Sequence, residues 1–227
     1  MLLAFLLVGC FLLTEKNRAT YVRWACLLVA STVIILTPWT IRNFSRLGGF
    51  VFVRDNLGLE LYTANNERAR PTLEENMKLP KRPHPNDNHL EAEELARLGE
   101  LSYNQLKLRA AIRWILDHPS RFVLLTMQRF FYFWFPNSNQ VWKRVVAGMI
   151  TLLGWAGFLF SYRTHQLSSI MIAVLWIVYP LIYYVMQADP RYSYPIYWTL
   201  LLMAGVSILR LFAMMKSRLS DLPGELA

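Results

Sequence analysis

Residues 188–197 read ADPRYSYPIY, and they separate two of the most apolar runs in the chain: SSIMIAVLWIVYPLIYYVMQ (168–187) and WTLLLMAGVSILRLF (198–212). Asp189 is the only acidic residue between Asp117 and Asp221. A helix of about 20 apolar residues is long enough to cross a hydrocarbon core. Asp-Pro-Arg-Tyr between two such runs therefore reads as a short turn at a membrane surface, since aspartate and proline favour turns.

Outward from this turn, the apolar residues remain clustered. Spans are expected over 25–41, 145–162, 167–187 and 194–212, and residues 1–13 form a further apolar run too short to cross on its own. The chain has 227 residues, 55% of them hydrophobic and 17% charged, a balance foreign to most soluble domains. The fold class expected is an all-α polytopic membrane protein. It has about four full transmembrane helices, a partial N-terminal one, an interfacial helix and a mostly helical loop region.

The net charge of +9 is distributed unevenly. Residues 42–120 hold 12 Lys/Arg against 11 Asp/Glu, and the remainder holds 12 against 4. Basic excess thus flanks the apolar runs, where the positive-inside bias and anionic headgroups account for it. No basic stripe interleaves with aromatics on a polar segment, so nucleic acid is not an expected partner. Cys10 and Cys26 both lie in apolar runs and read as small apolar side chains. LVGC (7–10) imitates a lipoprotein cleavage box, but it has no basic residues before it and the apolar run continues past it.

Orientation depends on SRFVLLTMQRFFYFWF (120–135). The segment is short for a span, carries Arg129 near its middle and is dense in aromatics, which suits an interfacial helix over 121–136. With it lying flat, Lys16, Arg18, Arg23, Arg163, Arg210, Lys216 and Arg218 fall inside, against Lys143, Arg144 and Arg191 outside. The expected layout is then N-terminal helices over 1–41, an extracytoplasmic region over 42–120, three spans over 145–212 and a cytoplasmic tail over 213–227. The protein is expected in the cell (inner) membrane as a multi-pass chain, with ADPRY and the 42–120 region on the same, outer side.

Within the polar region, Pro38 is expected to end the second apolar helix. PKRPHPNDNH (80–89) reads as a loop, and a single helix is expected over 90–117. Asn88 would cap that helix, acidic residues would occupy its first turn, and leucines recur at helical spacing.

The four histidines do not form a convincing metal set. His84 and His89 are a loose pair with no cysteine near them, and His118 and His165 are remote. No cofactor is expected, although a divalent cation held between a substrate phosphate and carboxylates stays open. Carboxylates are available in Asp55, Glu60, Glu67 and Asp189. Glu67 reads first as a solvated charge, and Asp189 as either a turn residue or a functional one. Arg191, Arg42 and Arg129 are candidates to hold one lipid-linked phosphate, the alternative being that Arg191 only reaches for headgroups. Tyr192 and Tyr194 either anchor the interface or stack on a sugar.

The stretches TPWTIRNF (37–44), DNLGLELYTANN (55–66), HPSRFVLLTMQRFFYFW (118–134) and DPRYSYPIYWTLLLMAG (189–205), in that order, resemble the latter half of bacterial family 39 glycosyltransferases. That family is similar to dolichyl-phosphate-mannose–protein mannosyltransferases and to the aminoarabinose transferases of lipid A. The resemblance implies a GT-C fold, here incomplete, and inverting transfer of a sugar from a polyprenyl-phosphate-linked donor to a cell-envelope acceptor. It also implies that Glu60, Asn65 and Asn66 lie near the active cavity and hydrogen-bond sugar hydroxyls, turn formation being the default reading of Asn65-Asn66. Asp189 and Tyr192 are further substrate-binding candidates from their place in the ADPRY turn. The family's essential acid lies in an early outer loop with no counterpart here. The chain is therefore expected to be inactive alone, with the catalytic residues unassigned, and to act with an N-terminal half of the same enzyme and with membrane lipids. A non-enzymatic subunit of a glycan pathway, such as a flippase component or assembly partner, is the competing expectation. A transporter ranks behind both, because the long runs carry no internal charge.

Overall fold

A computed structural model describes residues 9, 18–51, 55–138 and 140–220. Apart from Gly9, the apolar start of the chain lies outside these residues, as do Cys10 and Lys16. The described residues fold into helices α1 (Arg18–Leu47), α2 (Leu57–Ala64), α3 (Leu73–Met77), α4 (His89–Leu98), α5 (Glu100–Asp117) and α6 (Pro119–Trp134). There follow α7 (Val141–Tyr162), α8 (Gln166–Val178), α9 (Leu181–Val185), a 3-10 turn (Pro190–Tyr192) and α10 (Tyr194–Ser220), with no strand among them.

Four stretches are long and apolar enough to cross a membrane: Val22–Leu47, Val141–Tyr162, Gln166–Val185 and Tyr194–Arg218. Their outward faces carry large apolar side chains, Ile35 being 73% exposed and Leu209 71%. Apolar surface of this extent belongs in lipid rather than water. The chain is an all-α polytopic membrane protein.

Two expectations about helix ends are corrected. Pro38 does not terminate α1, which runs on to Leu47. The proline removes one backbone donor, while the Thr37 hydroxyl donates to the Val33 carbonyl (2.7 Å) and the Thr40 hydroxyl to the Leu36 carbonyl (3.0 Å). These bonds add donors in the turns on either side of the Ile34 carbonyl, the acceptor that the proline leaves without its helical N–H. The helix expected over 90–117 is two helices, α4 and α5, broken at Gly99 with φ +76°. Only glycine takes that conformation without strain. Pro119 lies just beyond α5 and opens α6, where its missing N–H is harmless.

The described residues divide into two compact units. A polar unit gathers residues 18–51, 55–130 and 181–189; a bundle unit gathers 9, 131–138, 140–180 and 190–220. In the bundle unit, Thr151, Gly154, Gly157 and Ser161 form a buried stripe along α7. It faces Leu200, Met203 and Ser207 of α10. A Cβ at Gly157 would collide with the Met203 carbonyl, and one at Gly154 would press on Leu200. Small residues let apolar helices approach this closely, and hydroxyls then join them. The Ser207 hydroxyl donates to the Leu153 carbonyl (2.6 Å), and Trp176 Nε1 donates to the Thr199 hydroxyl (2.7 Å).

The polar unit is built on α5. Helix α2 packs against it where a Cβ at Gly58 would collide with the Asn104 backbone. The Asn104 side chain accepts from Leu59 N (2.9 Å) and donates to Asp55. Ala69, Trp114 and Leu125 form a small apolar core beneath, with Ile115 and Phe122 packed on it. Residues 185–188, the approach to the ADPRY turn, are tied into the same unit. Leu73 N donates to the Ala188 carbonyl and Ala188 N to the Pro71 carbonyl, both at 2.9 Å. Asn76, 1% exposed, donates to Gln187 Oε1 (3.2 Å).

Candidate functional site

At the C-terminal end of α1 the chain leaves an apolar stretch and turns into polar sequence. Arg42 and Arg46 are one helical turn apart and so share a face. The Arg42 guanidinium lies 4.8 Å over the Trp39 ring and donates to Asn43 Oδ1 (3.2 Å). Asn43 is 3% exposed and donates to the Val51 carbonyl (3.1 Å), which fixes the turn that follows the helix. Together with Asp55 and Glu100, these residues line a cleft of about 530 Å³. Guanidinium forks match phosphate oxygens, tryptophan suits the membrane–water boundary, and the carboxylates can accept from hydroxyls. Arg46, in the last turn of α1, also complements the negative end of the helix dipole.

Arg129 occupies a different setting from the one expected of a headgroup ligand. It is 0% exposed. Its guanidinium donates to Asn65 Oδ1 (3.1 Å), to the Val185 carbonyl (2.7 Å) and to the Ala64 carbonyl. Burial pushes its pKa down to about 9, which leaves it cationic at neutral pH. Asn65, also 0% exposed, donates to the Leu61 carbonyl (2.9 Å) and the Val185 carbonyl (3.0 Å). The two residues clamp the C-terminal end of α2 to the end of α9. Both side chains are fully buried and direct their bonds to each other and to backbone carbonyls, with Arg129 Nε left without a partner among the described residues.

The remaining expected site residues are dispersed. Glu60, half-buried in the first turn of α2, accepts from Asn56 Nδ2 (3.2 Å). Asn66 closes the turn after α2, donating to the Tyr62 carbonyl (2.8 Å) and accepting from Arg68 N (3.0 Å). Asp189 ends the polar unit, and Arg191 and Tyr192 lie in the 3-10 turn that begins the next segment of the bundle unit.

A second cleft, not expected from the sequence, has a volume of about 540 Å³ in the polar unit. Its floor is Trp114 stacked on His118, with ring centroids 5.1 Å apart. Glu67 accepts from Trp114 Nε1 (2.9 Å) and lies 3.3 Å from His118 Nε2. The only local sequence signal is the one-turn spacing of Trp114 and His118; Glu67 is far away along the chain. Among the described residues, no three His, Cys, Asp or Glu side chains come together as metal donors.

The chain matches no family model, no curated protein and no solved structure.

Proposed function

We propose that the protein is part of a membrane glycosyltransferase that takes a sugar from a polyprenyl-phosphate-linked donor and passes it to a cell-envelope acceptor on the extracytoplasmic side. The observation that supports this most is the Arg42–Arg46 cleft at the end of a membrane-length apolar helix. A lipid-linked phosphate sits where its tail is in hydrocarbon and its charge is in water. Two guanidiniums beside an interfacial tryptophan match that geometry. In transfer, the bond from the anomeric carbon to the phosphate oxygen breaks, the acceptor oxygen bonds to that carbon, and the acceptor proton passes to a general base. Arg42 and Arg46 act on the leaving side, where negative charge grows on the phosphate and fixed cations stabilise it. Asp55 and Glu100 orient the sugar by accepting from its hydroxyls.

The test uses the purified chain in nanodiscs of neutral phosphatidylcholine doped with undecaprenyl phosphate, with binding read by native mass spectrometry. Arg42→Gln with Arg46→Gln should weaken binding at least tenfold. Unchanged affinity in the double variant contradicts the reading.

A further inference from the structure

The cleft floored by Trp114 and His118 has no part in the donor site, and its chemistry differs. Arg68, Lys81 and Arg113 line it, all three exposed. Ion pairs among the described residues join Lys78, Arg82, Lys107, His89 and His118 to carboxylates; none involves Arg68, Lys81 or Arg113. Three cations that converge on one cleft without a partner favour an anion there. Glu67 is held by Trp114 Nε1 through one oxygen, Oε1, which leaves Oε2 to accept from a hydroxyl. Asp117 lines the same cleft as a second acceptor. A ligand that satisfies both sets carries a phosphate and several hydroxyls on one compact body. About 540 Å³ is ample for a monosaccharide.

We infer that this cleft binds a phosphorylated saccharide: Arg68, Lys81 and Arg113 hold the phosphate, and Glu67 and Asp117 accept from the ring hydroxyls. The phosphosugar is either free in solution or the headgroup of a glycolipid, and the cleft's chemistry is the same for both. The inference stands without the donor reading, because the two clefts share no lining residue.

The full chain in neutral-lipid nanodiscs is titrated calorimetrically with glucose 6-phosphate, glucose and inorganic phosphate, and separately against discs carrying a phosphorylated glycolipid. Glucose 6-phosphate is expected to bind at least tenfold tighter than either glucose or phosphate alone. Combined Arg68→Gln, Lys81→Gln and Arg113→Gln should remove that binding. Glu67→Gln, whose amide oxygen still accepts from Trp114, should weaken glucose 6-phosphate while leaving inorganic phosphate unchanged. If only the glycolipid binds, with the same response to the variants, the ligand is the membrane-borne form. Equal affinity for glucose 6-phosphate and phosphate, an unaffected triple variant, or no binding of either phosphosugar overturns the inference.

Discussion

Lys107 and Arg129 are both buried cations of the polar unit, and their surroundings are opposite. Lys107, 7% exposed, lies between Glu91 and Glu94, with the Tyr62 and Tyr103 rings about it. Burial alone would lower its pKa, but the hydrogen bonds to Glu91 and Glu94 outweigh burial and the pKa is raised. Arg129 has no carboxylate in ion-pair reach among the described residues. Its acceptors are neutral, and burial lowers its pKa. A paired charge recovers its lost hydration through Coulomb attraction; a charge facing carbonyls recovers it only through hydrogen bonds. Lys107 thus joins α5 to α4 within a stretch of about one helical hairpin, while Arg129 joins α2 to α9 across distant parts of the sequence. Side-chain ion pairs serve the local joint and carbonyl-directed bonds serve the remote one.

The largest expected effect comes from removing the remote joint. Arg129→Met removes the donor to the Ala64 carbonyl and to Asn65 Oδ1, at about 1–3 kcal/mol for each buried acceptor, and leaves the Val185 carbonyl with Asn65 as its one remaining side-chain donor. A loss of roughly 3 kcal/mol or more is expected, read as lowered thermal stability in nanodiscs. A neutral or stabilising result would show that the desolvation cost of the charge exceeds the worth of its bonds, and the contrast with Lys107 would then fail. Lys107→Met comes next, at about 2 kcal/mol, because it leaves two carboxylates facing each other. Adding Glu91→Gln should return part of the loss, and strict additivity in this cycle would mean the pair is not coupled.

Alkaline titration sharpens the comparison through sign. The raised pKa of Lys107 gives stability that is present below its ordinary value of 10.5 and lost as pH rises through the folded value. Tyr103, raised first by burial and then by its bond to Glu91, acts in the same direction. Arg129 acts in the opposite one: burial lowers its pKa, so its penalty is present while the folded side chain is cationic and is relieved as pH rises through the lowered value. Between pH 9 and 10.5, Arg129→Met should therefore lose stability relative to wild type as pH rises, by at most ~1.4 kcal/mol per pH unit. A difference independent of pH across that window contradicts the assignment. The smallest effect is the control. Lys78 and Glu74 form an ion pair with side chains 70% and 66% exposed. Lys78→Ala should cost less than about 0.5 kcal/mol, and a larger loss would mean that burial is not what separates these cations.

Much of the architecture was readable because membrane-length helices are written as apolar composition, which needs no partner to interpret. The four spans followed from run length alone. Local signals that depend on a partner misled. Pro38 reads as a stop unless the hydroxyls of Thr37 and Thr40 are known to turn back into the helix. Gly99 is hidden because Leu95, Leu98 and Leu106 keep helical spacing on either side of it. Arg129 is visible as a charge in an aromatic segment, yet the sequence does not tell whether it reaches outward to lipid or inward. The choice is made by the carbonyls of Ala64 and Val185, which lie 65 and 56 residues away. Arg42 was readable as a headgroup candidate from its place just after an apolar run. The Glu67–Trp114–His118 cluster was not, since Glu67 comes from the turn after α2 and the two rings from the end of α5.

The claim on which the functional account rests is that the 42–120 region and the ADPRY turn face the same extracytoplasmic compartment. The pairing of Ala188 with Pro71 and Leu73 supports the two segments' sharing a side. The direct measurement is labelling of single cysteines, Asn86→Cys in the loop and Arg191→Cys in the turn, in a background with Cys10 and Cys26 replaced, using a membrane-impermeant thiol reagent on intact cells. Both positions are expected to label from outside without permeabilisation. Labelling of one from outside and the other only after permeabilisation, or of both only after it, would contradict the account.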